Sequence, residues 1–204
     1  MSTNVLIAFY SRNGSTEALA KAIAEGAEAN GATVRLRRAR ELVGPEVIDS
    51  VPGWRDSLTR QNALYEAPTP ADAEWADAIV FGSPTRFGIV SSELKAYIDS
   101  LGGLWFQGKL FNKAGAAFGA TASTHGGAET TLLGLFAAFS HLGLVIVPNG
   151  YGDPITFQGG TPYGSHTAVD GQYVKAPADA DIAVAKYQGA RVAKVAAALK
   201  SLRA

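Results

Sequence analysis

The sequence predicts an α/β protein with a doubly wound, mainly parallel sheet. Short apolar runs, typical of strands buried on both faces, alternate five times with segments whose apolar residues recur at helical spacing. Five strands are too few for a closed eight-stranded barrel, so the sheet is expected to be open with helices on both faces. Three of the runs end in small, polar or glycine residues, which marks the carboxyl edge of that sheet as the place for a ligand.

The strands and helices follow one another in a simple order. The strands are predicted at residues 5–10, 33–37, 78–81, 114–120 and 144–147. Helical stripes run from Thr16 to Gly26, from Leu94 to Leu101, from Leu132 to Phe139 and from Ile182 to Leu199. With right-handed crossovers, the compact arrangement is the flavodoxin-like strand order 2-1-3-4-5.

Two segments interrupt this alternation. The length of 204 residues suits a single domain, 1–204. Residues of about 40–74 carry four prolines and many charges, and we expect a loop there with one short helical piece around 54–64. Residues of about 148–176 are rich in glycine and are predicted to form a second irregular insertion.

The composition excludes several classes of function. Eighteen basic residues balance eighteen acidic ones without a basic run, so nothing favours nucleic-acid binding. The chain has no cysteine, and its three histidines lack metal-ligand spacing, so no metal site is predicted. No apolar stretch approaches the roughly 20 residues that cross a bilayer, and the start lacks signal-peptide character. These features predict a soluble, cytoplasmic protein without membrane insertion.

The first loop, residues 11–16, joins the first strand to the first helix and has the character of an anion site. Backbone N–H groups and the positive dipole end of a helix favour a phosphate there. The loop lacks the three glycines of a dinucleotide loop and the lysine of an ATP loop, so a terminal monophosphate fits best. An ordinary helix N-cap, for which Ser and Thr are common, fits as well. The candidates are Ser11, Arg12, Asn13, Gly14, Ser15 and Thr16.

Two more loops follow strands and complete this edge. The second loop, residues 83–88, is stiffened by Pro84, and its Arg86 could stabilise negative charge on a flat heterocycle or form a surface ion pair. The third loop, residues 121–127, consists of small residues that allow a ring to lie flat against the backbone. The candidates are Pro84, Thr85, Arg86, Phe87, Gly88, Thr121, Ala122, Ser123, Thr124, His125, Gly126 and Gly127.

Motifs along nearly the whole chain resemble the WrbA family, the tryptophan-repressor-binding-protein-like NAD(P)H:quinone oxidoreductases. Tyr-Ser-x-x-Gly-x-Thr follows the first strand, Pro-Thr-Arg-Phe-Gly the third, and Gly-Gly-Leu-Trp stands at 102–105. His-Gly-Gly-Ala-Glu-Thr-Thr at 125–131, His-x-Gly-x-Val-Ile-Val-Pro at 141–148 and Gly-Gly-Thr-Pro-Tyr-Gly at 159–164 extend the match. Each motif is moderately specific, and the ordered set is strongly so.

The resemblance implies an FMN enzyme, usually a homotetramer, that reduces quinones to hydroquinones with NAD(P)H. Its ping-pong cycle would pass a hydride to flavin N5 and then two electrons to the quinone. The first loop would hold the FMN phosphate, and the second and third loops would line the ring. Arg86 and His141 are the candidate catalytic residues, and His141 would also contact FMN, from its own or from a neighbouring subunit. Asn13 and Trp105 would bind substrate.

Without the resemblance, Trp105 is better explained as a core or interface residue, and His141 as a residue that interacts with the dipole at a helix C-terminus. Two rival functions also remain: a flavodoxin-type electron carrier and a regulatory binding protein. The zero net charge argues against the carrier, since such carriers resemble acidic proteins. Nothing in the sequence supports a regulatory role.

Overall fold

A computed structural model of the chain describes residues 2–169 and 176–203. In these residues six strands form one sheet in which every pairing is parallel. The neighbours follow the order β2-β1-β3-β4-β5, so the predicted flavodoxin-like α/β fold and strand order are confirmed. The strands are β1 (Thr3–Phe9), β2 (Ala32–Arg38), β3 (Ala78–Pro84), β4 (Ala114–Thr121), β5 (Val145–Ile146) and β6 (Gly164–Ala168).

Helices cover both faces because the side chains of each strand alternate between them. Val5, Ile7 and Phe9 of β1 face one cluster, and Leu6 and Ala8 face the other. The helices α1 and α8 cover the first face, and α4, α5 and α7 the second. The helices are α1 (Ser15–Glu28), α2 (Pro45–Asp49), α3 (Trp54–Leu64), α4 (Pro70–Trp75), α5 (Ser92–Ser100), α6 (Gly102–Phe106), α7 (Ala128–Leu142) and α8 (Asp179–Leu199).

The sixth strand lies inside the insertion at 148–176, which its glycine-rich sequence predicts to be irregular. The first half of β4 pairs with β5, and its second half, residues 117–121, pairs with β6. The edge position is therefore shared by two strands with a long excursion between them. The β6 sequence, Gly-Ser-His-Thr-Ala, has no apolar run that would predict a strand. It is a strand because it pairs with β4. Residues 170–175 of the insertion lie outside the described residues.

The predicted insertion at 40–74 is largely helical. The expected helical piece at 54–64 is confirmed as α3, and α2 and α4 stand on either side of it. The sequence does contain a signal for α4: Thr69 and Asp72 form a capping box, with Pro70 in the first turn. The charges and prolines of this segment obscured both short helices.

A buried carboxylate in the first turn of α1 makes stability depend on pH. Glu17 is 3% exposed and accepts hydrogen bonds from Arg60 of α3 and from the Tyr65 hydroxyl, the latter at 2.9 Å. Burial alone would raise the pKa of Glu17, but hydrogen bonds from Arg60, Lys21 and Tyr65 outweigh it and lower the pKa from 4.5 to about 2.

We expect Glu17→Gln to reduce the loss in the free energy of unfolding that occurs as the pH is lowered. The folded-state pKa lies below the unfolded one, so Glu17 stabilises the fold above pH 4.5, and this contribution is lost as the pH falls toward 2. Urea unfolding at pH 7 and pH 3 should show a loss on the order of 2 kcal/mol in the wild type that the variant lacks. Glu25→Gln, which removes a largely exposed carboxylate from the same helix, is the matched control. An equal acid loss in wild type and Glu17→Gln would contradict the prediction.

Candidate active site

Three loops at the carboxyl edge of the sheet line a cleft that is open to solvent. The loops follow β1, β3 and β4, which are neighbours in the sheet, and the carboxyl ends of parallel strands share one edge. The cleft is lined by Ser11, Arg12, Asn13, Ser15, Thr16, Pro84, Thr85, Arg86, Ala120, Thr121, Ala122 and Val169.

The first loop ends at the N-terminus of α1. Gly14 occupies the N-cap with φ of 103°, a left-handed conformation that favours glycine, and no side chain caps the helix. The Ser11 hydroxyl accepts a hydrogen bond from the Gly14 amide at 3.0 Å, which closes the loop on itself. The Ser and Thr residues of the loop therefore do not form the ordinary side-chain N-cap that the sequence also allows. The positive end of the 14-residue helix and the residues Ser15 and Thr16 adjoin the cleft.

The second loop reaches the cleft with its first half only. Arg86 and Ile89 exchange backbone hydrogen bonds of 2.9 and 3.1 Å across a tight turn, in which Phe87 and Gly88 both have positive φ. Phe87 is fully exposed at the tip. Of the predicted second-loop residues, Pro84, Thr85 and Arg86 line the cleft, whereas Phe87 and Gly88 project beyond it.

The third loop is held by a histidine that the sequence analysis did not select for this site. The Thr121 hydroxyl donates to the Ser123 carbonyl at 2.7 Å, so its 3.0 Å contact with Nε2 of His166 is donated by the ring. Burial lowers the pKa of His166, which favours the neutral ring in this role. His166 lies on β6, and only the unexpected pairing of β6 with β4 brings it here.

Other predicted residues of the third loop lie outside the cleft. Ser123, Thr124 and His125 are exposed, and Gly127 takes the left-handed N-cap position of α7. A Cβ on Gly127 would lie 2.9 Å from the Cα of Gly88, so the second and third loops touch there. Two lining residues, Ala120 and Val169, were missed because neither has a side chain with recognisable chemistry.

Trp105 and His141 lie together, but in a different place. They line a groove between α5, α6 and α7, which we call the helical groove, and neither lines the cleft of its own chain. Trp105 is 54% exposed, and its neighbour Phe106 is 85% exposed. The other residues of the groove are Lys95, Ile98, Asp99, Gly102, Ala138 and Leu142.

The cleft combines the N-terminus of α1 and the hydroxyl groups of the first loop with Pro84, Ala120 and Ala122 at the ends of β3 and β4. A helix N-terminus and hydroxyl groups suit a phosphate, and small side chains let a planar ring approach the backbone. These residues fit a mononucleotide carried by a flavodoxin-like protein. In the described ranges 2–169 and 176–203, no helix is both long and apolar enough to span a membrane.

Comparison with known proteins agrees with a flavodoxin-like protein that binds a mononucleotide. Residues 1–153 match the family described as NADPH-dependent FMN reductase. The NAD(P)H dehydrogenase (quinone) of Deinococcus radiodurans is 46% identical over 167 residues, covering 81% of this chain and 83% of that protein. The protein of the same name from Azorhizobium caulinodans is 42% identical and covers 96% and 98%.

Solved structures give the same answer for the fold. The crystal structure of a WrbA-like flavodoxin from Agrobacterium tumefaciens aligns with a TM-score of 0.69 at 28% identity, covering 98% of this chain and 100% of that one. Oxidised flavodoxin 1 from Bacillus cereus aligns with a TM-score of 0.60 at 18% identity and shares the fold.

The chain belongs to the NADPH-dependent FMN reductase family. It is therefore an oxidoreductase whose family chemistry uses FMN as cofactor and NAD(P)H as co-substrate, and the resemblance found in the sequence is confirmed.

Proposed function

We propose that the chain is an FMN-dependent NAD(P)H:quinone oxidoreductase that reduces quinones to hydroquinones by two electrons. The observation that carries this proposal is the cleft at the carboxyl edge, which joins the N-terminus of α1 to the loops that follow β3 and β4. The residues of the three loops would hold FMN, which would supply the flavin N5 hydride chemistry of a ping-pong cycle between NAD(P)H and a quinone. The names of relatives at 46% and 42% identity support this substrate class.

The residues of the first loop would hold the phosphate, and those of the other loops would place the ring. Ser11, Ser15 and Thr16 supply hydroxyls beside the N–H groups of α1. Thr85 is fixed by the Thr131 hydroxyl at 2.9 Å and by the Gly88 amide at 3.1 Å, so it presents a rigid edge to the ring. Asn13 lines the same cleft and is assigned to the nicotinamide nucleotide.

The helical groove supports a homotetramer. Trp105 and His141 do not reach the cleft of their own chain, and Trp105 and Phe106 expose large apolar areas beside each other. In the assembly that the family resemblance implies, these residues would cover the flavin cleft of a neighbouring subunit, and His141 would contact FMN from there. We propose a cytoplasmic location, as the composition and the apolar patterning of the sequence predict.

One experiment separates this function from its rivals. The purified protein is titrated with FMN, followed by its absorption spectrum, and the loaded protein is assayed for NADH and NADPH oxidation with benzoquinone. Steady turnover that requires FMN is expected. A protein that binds FMN but shows negligible turnover would be an electron carrier, and a protein that binds no FMN would refute the redox assignment.

We expect Arg86→Ala to lower the two-electron potential of bound FMN by tens of millivolts, as is typical when one nearby charge is removed. Arg86 lines the cleft, and its Nη1 donates to the Thr85 carbonyl at 3.0 Å, which holds the guanidinium beside the ring wall. A positive charge there stabilises the anionic reduced flavin. Spectroscopic titration against a reference dye measures the potential. Arg55→Ala, at an exposed ion pair with Asp49, is the control, and an unchanged potential in Arg86→Ala would refute the role.

A further inference from the structure

A buried arginine lies directly behind the first loop. Arg38, the last residue of β2, is 0% exposed and is among the largest fully buried side chains of the protein. A fully buried arginine is rare and needs partners for its donors. Its guanidinium donates two hydrogen bonds to the Ser11 carbonyl oxygen, from Nη2 at 3.1 Å and from Nε at 3.3 Å. The side chain therefore holds the loop from the side away from the cleft.

A carboxylate fixes the guanidinium in this position. Nη2 of Arg38 donates to Oε1 of Glu41 at 2.6 Å, and Glu41 is itself fixed by the Tyr10 hydroxyl at 2.7 Å and by Nε1 of Trp54 at 3.2 Å. Burial, then Coulombic repulsion and hydrogen bonding by carboxylates, raises the pKa of Tyr10, so this hydroxyl stays protonated and remains a donor.

The next carbonyl of the loop has an anchor as well. Gln61 of α3 donates from Nε2 to the Arg12 carbonyl at 3.5 Å, while its Oε1 accepts from Nε of Arg38 at 3.1 Å. One connected network thus holds two consecutive loop carbonyls from behind. It is built from the end of β2 and from α3, part of the segment 40–74 for which the sequence analysis predicted no binding residue.

Because peptide bonds are planar, fixing these two carbonyl groups also fixes the direction of the N–H groups that follow them. All described peptides are trans, and in a trans peptide the N–H points opposite to the C=O. The Ser11 carbonyl is held away from the cleft, so the N–H of Arg12 points toward the cleft. The Arg12 carbonyl is held in the same way, so the N–H of Asn13 also points toward the cleft. Both residues line the cleft. The same anchors keep two carbonyl oxygens, which would repel a phosphate, away from it.

We propose that Arg38 and Gln61 are positioning residues for the phosphate of the flavin mononucleotide. They orient the amides of the first loop without touching the ligand. This inference rests on the proposed FMN site. Stability alone does not account for the network, because a buried ion pair is often no more stabilising than apolar residues of the same size.

The test compares FMN with riboflavin, which lacks the phosphate. In the double variant Arg38→Met/Glu41→Gln, which leaves no unpaired charge, the Kd for FMN should rise roughly 10- to 100-fold while that for riboflavin changes less than about 2-fold. In Gln61→Met the Kd for FMN should rise about 3- to 10-fold. Flavin fluorescence quenching measures both. The control is Arg55→Met, which removes an exposed charge on the same helix as Gln61 that pairs with Asp49.

Hydrogen exchange of the FMN-free protein supplies a second readout. The peptide that contains residues 11–16 should exchange faster in both variants and be unchanged in Arg55→Met. Equal weakening of FMN and riboflavin, or unchanged FMN binding with unchanged exchange, would overturn the inference. If the double variant does not fold, Gln61→Met decides between the same outcomes. Failure of the wild type to bind FMN would refute the proposed function, and the exchange measurement would still test the loop anchors.

Discussion

Ser15→Asp is expected to weaken FMN binding by about 1,000-fold and to leave riboflavin binding unchanged. Ser15 is the first residue of α1 and lines the cleft where the phosphate is proposed to lie. A carboxylate about 4 Å from a phosphate, near a protein surface, costs about 4 kcal/mol per pair of unit charges, which corresponds to this loss of affinity. The same carboxylate competes for the helix N–H groups that the phosphate would use. Isothermal titration calorimetry with the two flavins measures the difference.

The substitution separates binding from folding, because its two effects have opposite signs. An acidic residue in the first turn interacts well with the helix dipole, so the FMN-free variant should be as stable as the wild type or more stable by about 0.3–1 kcal/mol. Ser15→Ala, which removes only a hydroxyl, is the matched control and should weaken FMN binding less than about 10-fold. FMN affinity of Ser15→Asp within tenfold of the wild type would place the phosphate elsewhere.

Gly189→Ala is expected to destabilise the fold by about 3 kcal/mol or more, which lowers Tm by roughly 6–12 °C. The helices α1 and α8 cross with their backbones in contact on one face of the sheet. A Cβ on Gly189 would lie 1.9 Å from the Ile23 carbonyl oxygen, and one on Gly26 would lie 2.0 Å from the Lys186 carbonyl oxygen. Both obstacles are backbone atoms, so the helices must separate. Because α1 also supplies the N-terminus at the cleft, FMN affinity should fall with stability.

Gly134→Ala provides the control for this prediction in another helix. Gly134 lies in α7, and a Cβ there meets no atom within 4 Å. The substitution should therefore stabilise the protein by about 0.5–1 kcal/mol, through the better helix propensity of alanine. Thermal unfolding of both variants suffices. A Gly189→Ala variant as stable as Gly134→Ala would show that α1 and α8 are not in backbone contact.

The parts of the fold that the sequence predicted are those with a strong local signal. The β1 and β3 strands contain continuous apolar runs, residues 5–9 and 78–81, because they are buried on both faces, and such a run is recognisable without information from elsewhere in the chain. The site was predictable for a related reason. Its loops follow the strands that are most easily recognised, and ten of the predicted residues line the cleft: Ser11, Arg12, Asn13, Ser15, Thr16, Pro84, Thr85, Arg86, Thr121 and Ala122.

The parts that were missed depend on contacts between distant segments. Arg38 was given no role from the sequence, because no local pattern shows that α3 packs over it and buries it fully. His166 holds the third loop only because β6 pairs with β4. Trp105 and His141 were assigned by resemblance to the surroundings of the flavin, and the fold places them together in the helical groove instead of in the cleft of their own chain.

The sequence by itself therefore determined the fold class, the strand order, the loops that form the cleft and the family. These follow from hydrophobic periodicity and from short motifs, which are local properties of the chain. The tertiary structure alone decided that the edge of the sheet is completed by β6, that a buried arginine and glutamine anchor the first loop from behind, and that two helices touch at Gly26 and Gly189. The physical reason is that each of these features is a pairing between residues far apart in the chain, and neither partner carries a local pattern that identifies the other.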